Sequence, residues 1–263
     1  MPSTGRTSAN ERPLALVTGA ASGIGAATAD VLASKGFRVV CVDIRPSADA
    51  AGSESKIIWP EPFDVSKEKT VAEGIAAIEE RHGPIDGLVN AAGILGKMHP
   101  PQRLRMADWD REIAVDLRGT YVVCREVGGR MAERRRGAIV NIASVVGMGS
   151  APVHGYGPAK AAVINLTMTL AAEWGPKGVR VNAVSPGFTA TPALLVAFEH
   201  GALSKEALTS GAALKRLVEP KEVGLAAAWL LGPESGAITG VNLPVDAGYL
   251  ASVTWQSYGG LRG

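Results

Sequence analysis

Aromatic residues are scarce in this chain. They make up 5% of its 263 residues, so the hydrophobic 46% rests mainly on Ala, Val, Leu and Ile, side chains that pack helices onto strands. Cysteine is rarer still. Cys41 and Cys124 stand far apart, which supports neither a disulfide framework nor a multi-cysteine metal site; no metal is expected, and a reducing cytoplasm is the expected location. No apolar run is long enough to cross a bilayer, and the opening MPSTGRTSANERP lacks the apolar core of a signal peptide. Residues 1–12 are expected to be a flexible lead-in. An excess of one charge is also missing: 27 basic and 25 acidic residues leave a net charge of +2, too little to make nucleic acid the main partner. The basic run Arg130 to Gly137 reads as a solvated helix end.

What the chain does have is alternation. Short β-branched runs, LALVT (14–18), RVVCVD (38–43), KIIWP (56–60), GLVNA (87–91), AIVNIAS (138–144), VRVNAVS (179–185) and VNLPVD (241–246), are separated by longer alanine-rich segments. This is the pattern of βαβ units around a parallel sheet. Strands this apolar need cover on both faces, and right-handed crossovers put helices there. The expected fold is a doubly wound, Rossmann-type α/β domain of seven parallel strands in three layers, spanning 1–263. Residues 187–220 are the least regular and suit a substrate lid.

In such sheets ligands bind beyond the carboxyl ends of the strands. The first strand runs into Gly19, Gly23 and Gly25, opening an alanine-rich helix whose free N–H groups suit a pyrophosphate. The second ends in Asp43, placed to accept hydrogen bonds from a ribose and to repel a 2′-phosphate, which favours NAD; Arg45 beside it keeps NADP in play. Farther on, HGYGPAKAAV puts Tyr156 and Lys160 four residues apart at a helix start, so their side chains share one face. Taken alone, that spacing is ordinary helix geometry.

Together these stretches resemble the short-chain dehydrogenase/reductase family along residues 13–249. The glycine motif appears as Thr18-Gly19-x-x-x-Gly23-x-Gly25, with Asp64-Val65 after strand three, NAAG from Asn90 to Gly93, Tyr156-x-x-x-Lys160, SPGFTAT, and ITGVNLPVDAGY at the last strand. The resemblance implies hydride transfer between a nicotinamide and an alcohol or carbonyl carbon. Tyr156 would exchange the proton, Lys160 would assist it and hold the ribose, and Ser144 would hydrogen-bond the substrate oxygen, with Ser150 its competitor. A free phenol titrates near 10 and needs positive charge nearby for this work. The implied cofactor contacts are Gly19, Ser22, Gly23, Ile24, Gly25, Asp43, Asp64, Val65, Asn90, Ala91, Gly93, Tyr156, Lys160, Pro186, Gly187, Thr189 and Thr191.

One position departs from the family. Asp116 stands where an asparagine usually helps hold a water relay behind the lysine, so a retained relay with an upward-shifted pH optimum for oxidation is expected. Leu95, Val146, His154, Phe188 and Leu195 are the candidate substrate contacts, in a mainly apolar pocket suited to a secondary alcohol and its ketone. The alternatives are an NADP-dependent reductase of 3-oxoacyl thioesters, a non-catalytic dinucleotide-binding regulator, and an epimerase or dehydratase of related fold. Relatives of the fold form dimers or tetramers, and the aromatic tail over residues 250–263 is expected to pack on a neighbouring subunit.

Overall fold

A computed structural model describes residues 12–45, 57–60, 62–96, 98–201 and 203–261. The expected lead-in lies, apart from Arg12, outside the described residues. Seven strands form one parallel sheet: β1 (Leu14–Thr18), β2 (Arg38–Val42), β3 (Ile57–Ile58), β4 (Ile85–Asn90), β5 (Gly137–Ile142), β6 (Val179–Pro186) and β7 (Asn242–Val245), in the order β3-β2-β1-β4-β5-β6-β7. Order reverses between β1 and β4, where Thr18 lies opposite Asn90. The crevice above that pair is where a doubly wound sheet opens to a ligand.

Side chains alternate across the sheet, and each half of the alternation feeds its own core. Leu14 and Leu16 point to one face with Val40, Leu88, Ile139 and Val181. They meet Val71, Ile75 and Ile78 of α2 (Glu68–His82), Val122, Val123 and Val127 of α4 (Thr120–Glu133), and Leu170 and Trp174 of α5 (Tyr156–Trp174). Ala15 and Val17 point the other way, with Val39, Cys41, Val89 and Val140. Their cover is Val31 and Leu32 of α1 (Gly23–Ser34) and Val223, Ala227 and Leu230 of α8 (Pro220–Leu231). Truncating a fully buried residue such as Leu88 or Ile139 to alanine costs roughly 2–5 kcal/mol in such a core.

Three features depart from the linear reading. Residues 106–133 run without a break through α3 (Met106–Glu112), a π-helical segment (Ile113–Gly119) and α4. The Thr120 hydroxyl donates to the Asp116 carbonyl at 2.8 Å within this wider turn, and such turns re-aim side chains, often at functional sites. The irregular stretch holds two short helices, α6 (Pro192–Glu199) and α7 (Lys205–Ser210), neither of which buries a residue, and an isolated bridge between Thr189 and Val218. The basic run is more than a solvated helix end. Arg134 pairs with Glu79 at 2.9 Å, Arg136 with Asp86 at 2.6 Å, and Arg130 approaches Glu79 at 3.6 Å.

Beyond β7, α9 (Tyr249–Ser252) and a 3-10 turn carry the tail. Its start is tied down, because the Asp246 carboxylate accepts from Gly248 N and Leu250 N and the Ser252 hydroxyl donates to Gly211 O. Its end leaves Trp255 44% and Tyr258 86% exposed. Among the described residues, no helix is long and apolar enough to cross a membrane, and no group of three His, Cys, Asp or Glu could hold a metal.

Candidate active site

The glycine loop leaves β1 at Gly19, whose φ of +66° suits a residue without Cβ; a Cβ there would come 2.6 Å from Ala92 Cα. At Gly25 a Cβ would collide with the Gly19 carbonyl, and at Gly23 it would meet Thr191 Cγ2 at 3.3 Å. The loop is thus drawn tight on one side and faces Thr191 on the other. Ser22, which precedes α1, makes no side-chain cap, and the first turn carries no acidic residue. The N-terminal N–H groups of α1, which begins with Gly23 and Ile24, keep their positive end for an anion. These residues fit a dinucleotide's pyrophosphate.

Around this cradle the Thr18 hydroxyl accepts from the backbone N–H groups of Ala91 and Ala92, both at 3.2 Å, and joins the two walls of the crevice. Asp43 is half-buried at the lip. Its carboxylate accepts from Ala21 N at 3.1 Å and Ile44 N at 2.8 Å, which closes the glycine loop onto the end of β2. Asp64 accepts from the backbone and hydroxyl of Ser66, and Val65 packs in the core against Gly119. Asn90 turns its amide beneath the sheet, to Asn141 Oδ1 at 2.9 Å and Cys124 Sγ at 3.2 Å, and Asn141 continues to Thr167. Burial pushes the Cys124 thiol up to about 12, so it belongs to this network as a neutral group. Pro186 ends β6, Gly187 packs on Asp246, Thr189 donates to the Gly187 carbonyl at 2.9 Å, and Thr191 caps α6.

The candidate trio of Ser144, Tyr156 and Lys160 comes from two neighbouring elements. Ser144 follows the end of β5, is 8% exposed, and accepts a hydrogen bond from Val146 N at 3.3 Å. Ser150 lies exposed in the loop beyond. Tyr156 opens α5, and Lys160, one turn on, is only 4% exposed. Its ammonium donates to the Ile142 carbonyl at 2.9 Å and sits 5.4 Å from the centroid of the Tyr156 ring. A buried lysine held by a strand carbonyl has one place to be, and that place is beside the tyrosine.

Behind the lysine stands Asp116, fully buried, its Oδ1 3.6 Å from Lys160 Nζ and accepting from Ile94 N at 3.1 Å. Burial pushes its carboxyl up to about 6 from an ordinary 3.8; Lys160 and the Ile94 N–H act the other way, and Glu112 adds to the rise. Gly93 leaves the room, since a Cβ there would lie 2.6 Å from Asp116 Oδ1. Glu112 is a charged group that the linear reading passed over. It is 3% exposed, one helical turn before Asp116 and next to the start of α5. The spacing of four was visible in the sequence, but the face it turns to was not.

Of the candidate substrate contacts, Leu95 (67% exposed) and Leu195 (45%) stand open beyond β4 and on α6. Val146 and His154 are half-buried in the loop between β5 and α5. Phe188 meets Tyr249 edge-on, centroids 5.2 Å apart, so its ring also anchors the tail.

Comparison with known proteins agrees with this geometry. A family model described as enoyl-(acyl carrier protein) reductase matches residues 19–250. The D-threitol dehydrogenase of Mycolicibacterium smegmatis is 37% identical over 244 residues, covering 90% of this chain and 92% of the relative. A structure of ribose-5-phosphate isomerase from Brucella melitensis 16M superposes with a TM-score of 0.90 at 48% identity, covering 96% of this chain and 98% of that one. ElxO with NADP bound superposes at 0.85 with 29% identity, covering 91% and 99%. With its parallel sheet, glycine cradle and match from Gly19 to Leu250, the chain belongs to the short-chain dehydrogenase/reductase family of NAD(P)-dependent oxidoreductases.

Proposed function

We propose that this enzyme interconverts a secondary alcohol and its ketone with NAD as the preferred cofactor, using Tyr156 as acid/base. The observation that carries the reading is the fixed position of Lys160, buried, bonded to Ile142 O and set over the Tyr156 ring. The nicotinamide, when bound, accepts or returns the hydride. In the oxidising direction Tyr156 takes the hydroxyl proton, and the Ser144 hydroxyl donates to the substrate oxygen as charge develops on it. Lys160 presents positive charge to the tyrosine and an ammonium to the ribose. Gly19, Ser22, Gly23, Ile24 and Gly25 hold the pyrophosphate through backbone N–H groups, and the Asp43 carboxylate at the lip favours a ribose over a 2′-phosphate. The loop after β4 with α6 and α7 forms the pocket wall and lid, with Leu95 and Leu195 offering apolar contact to the substrate.

An isomerase reading, prompted by the Brucella structure, needs no redox cofactor and leaves the glycine cradle without a task. A thioester reductase reading keeps the cradle and differs only in substrate. The test is a panel of secondary alcohols, ketones, 3-oxoacyl thioesters and sugar phosphates with NAD(H) and NADP(H), followed at the absorbance of the reduced cofactor. Turnover of simple alcohols with NAD above NADP supports the proposal. Turnover confined to thioesters, or isomerisation without cofactor, overturns it.

A further inference from the structure

Two carboxylates are buried behind Lys160, and each keeps an oxygen without a partner: Asp116 Oδ2 and Glu112 Oε2. A charged carboxylate oxygen left bare in the interior is costly, so such a group is expected to hold a proton or take part in exchanging one. Glu112 sits in a seat made for it. A Cβ at Gly96 would collide with its Oε1, and one at Gly155 would come 2.5 Å from its Oε2. Burial pushes the Glu112 carboxyl up from its ordinary value, and the nearby Tyr156 backbone N–H acts the other way. Glu112 thus lies between the catalytic helix and the pocket-wall loop, one turn from Asp116 on the far side of Lys160.

We propose that Glu112 is the outer station of a two-carboxylate proton relay that runs from Lys160 through Asp116 and leaves the reaction cleft behind α5. The idea rests on the reading of Tyr156 and Lys160 given above. In alcohol oxidation the substrate O–H bond breaks and its proton goes to Tyr156. Lys160 passes one N–H proton to Asp116 and is restored by the proton that Tyr156 releases, so the ammonium ends unchanged. Asp116 hands the proton to Glu112, directly or through one water molecule, and Glu112 gives it to solvent; reduction runs the same steps backwards. The groups facing the pair are Lys160 and the Tyr156 start of α5, and Asp108 one turn before Glu112 on α3, whose charge opposes a second negative one. The Glu112 charge adds to the rise of the Asp116 carboxyl, so a proton on Glu112 eases ionisation of Asp116. Glu112 touches neither substrate nor cofactor in this scheme, so it is a positioning and proton-carrying residue.

The test compares wild type with Glu112→Gln, which keeps the shape but cannot titrate, and with Glu112→Asp, which restores a carboxylate. The relay predicts a drop of about tenfold in kcat for oxidation with KM unchanged in the Gln variant, less than the roughly 10²–10⁴-fold of a direct general acid–base step because Glu112 acts through Asp116. It also predicts partial recovery with added imidazole buffer and with Asp. A readout free of turnover accompanies it: by carboxyl NMR of the unliganded protein, the titration midpoint of Asp116 falls by about one pH unit when the neighbouring charge is removed. Unchanged kcat, no buffer dependence and a stationary Asp116 midpoint overturn the relay and leave Glu112 only a packing role between Gly96 and Gly155. If no alcohol is turned over by wild type, the reading of function fails by itself, and the NMR titration still decides whether the two carboxylates are coupled, a stationary midpoint refuting the proposal.

Discussion

The two ends of the sheet hold the same kinds of charged residue in opposite conditions. At the amino end Arg134 meets Glu79 and Arg136 meets Asp86 at 2.9 and 2.6 Å, with the arginines 30% and 53% exposed. At the carboxyl end Lys160 and Asp116 are 5% and 0% exposed and stand 3.6 Å apart, with a carboxylate oxygen left over. The amino-end pairs are well formed, and their guanidinium groups reach water although Glu79 and Asp86 are only 11% and 18% exposed, so each contributes modestly. The carboxyl-end pair is less well formed and dry, where an imbalance of charge is expensive. Charge at one end ornaments a surface, and at the other it is held ready for a proton.

Four substitutions test that contrast. Removing the Tyr156 hydroxyl as Tyr156→Phe is expected to lower kcat by about 10²–10⁴-fold with cofactor binding intact, checked by steady-state rates beside a nucleotide titration. Lys160→Ala leaves the Asp116 charge buried without its partner and is expected to cost about 3–5 kcal/mol at pH 8, read from urea unfolding. Combining it with Asp116→Asn should recover part of that loss.

Asp116→Asn alone sharpens the comparison through pH. The folded-state value of Asp116 is raised, from 3.8 to about 6, so the unfolded chain releases its proton first as pH rises. Wild type is therefore expected to lose stability between about pH 4 and pH 6 relative to Asp116→Asn, by up to about 3 kcal/mol, and to run parallel to it above that window. Thermal unfolding across pH 3–8 checks this, and parallel curves throughout would contradict it. Smallest of all, Arg136→Ala at the amino end should change stability by less than about 1 kcal/mol, less still in high salt, with kcat unchanged.

The contrast also marks what could be seen along the chain. LALVT is short, apolar throughout and followed by glycines, and its strand is visible because a continuous apolar run bounded by turn residues is a local signal. The Tyr156 and Lys160 pairing was visible because a helix brings every fourth residue round. The resemblance implies a cofactor contact at Asn90, and what the linear sequence does not show is that its amide nitrogen donates to Asn141 and Cys124, partners 51 and 34 residues away. Phe188 was read as a pocket residue, and its ring also holds Tyr249. Glu112 and the π-helical turn at Asp116 escaped notice because a helix's sequence does not state which of its faces another element will cover.

The order of strands and helices, the glycine cradle and the tyrosine–lysine turn were determined by the sequence itself, since each depends on residues within a turn or two of one another. Packing decided the rest. Whether a carboxylate is a half-buried partner at the edge of water, as Asp86 is, or a buried and protonatable one, as Asp116 and Glu112 are, depends on how much water the distant parts of the chain remove, because desolvation is set by everything that surrounds the group.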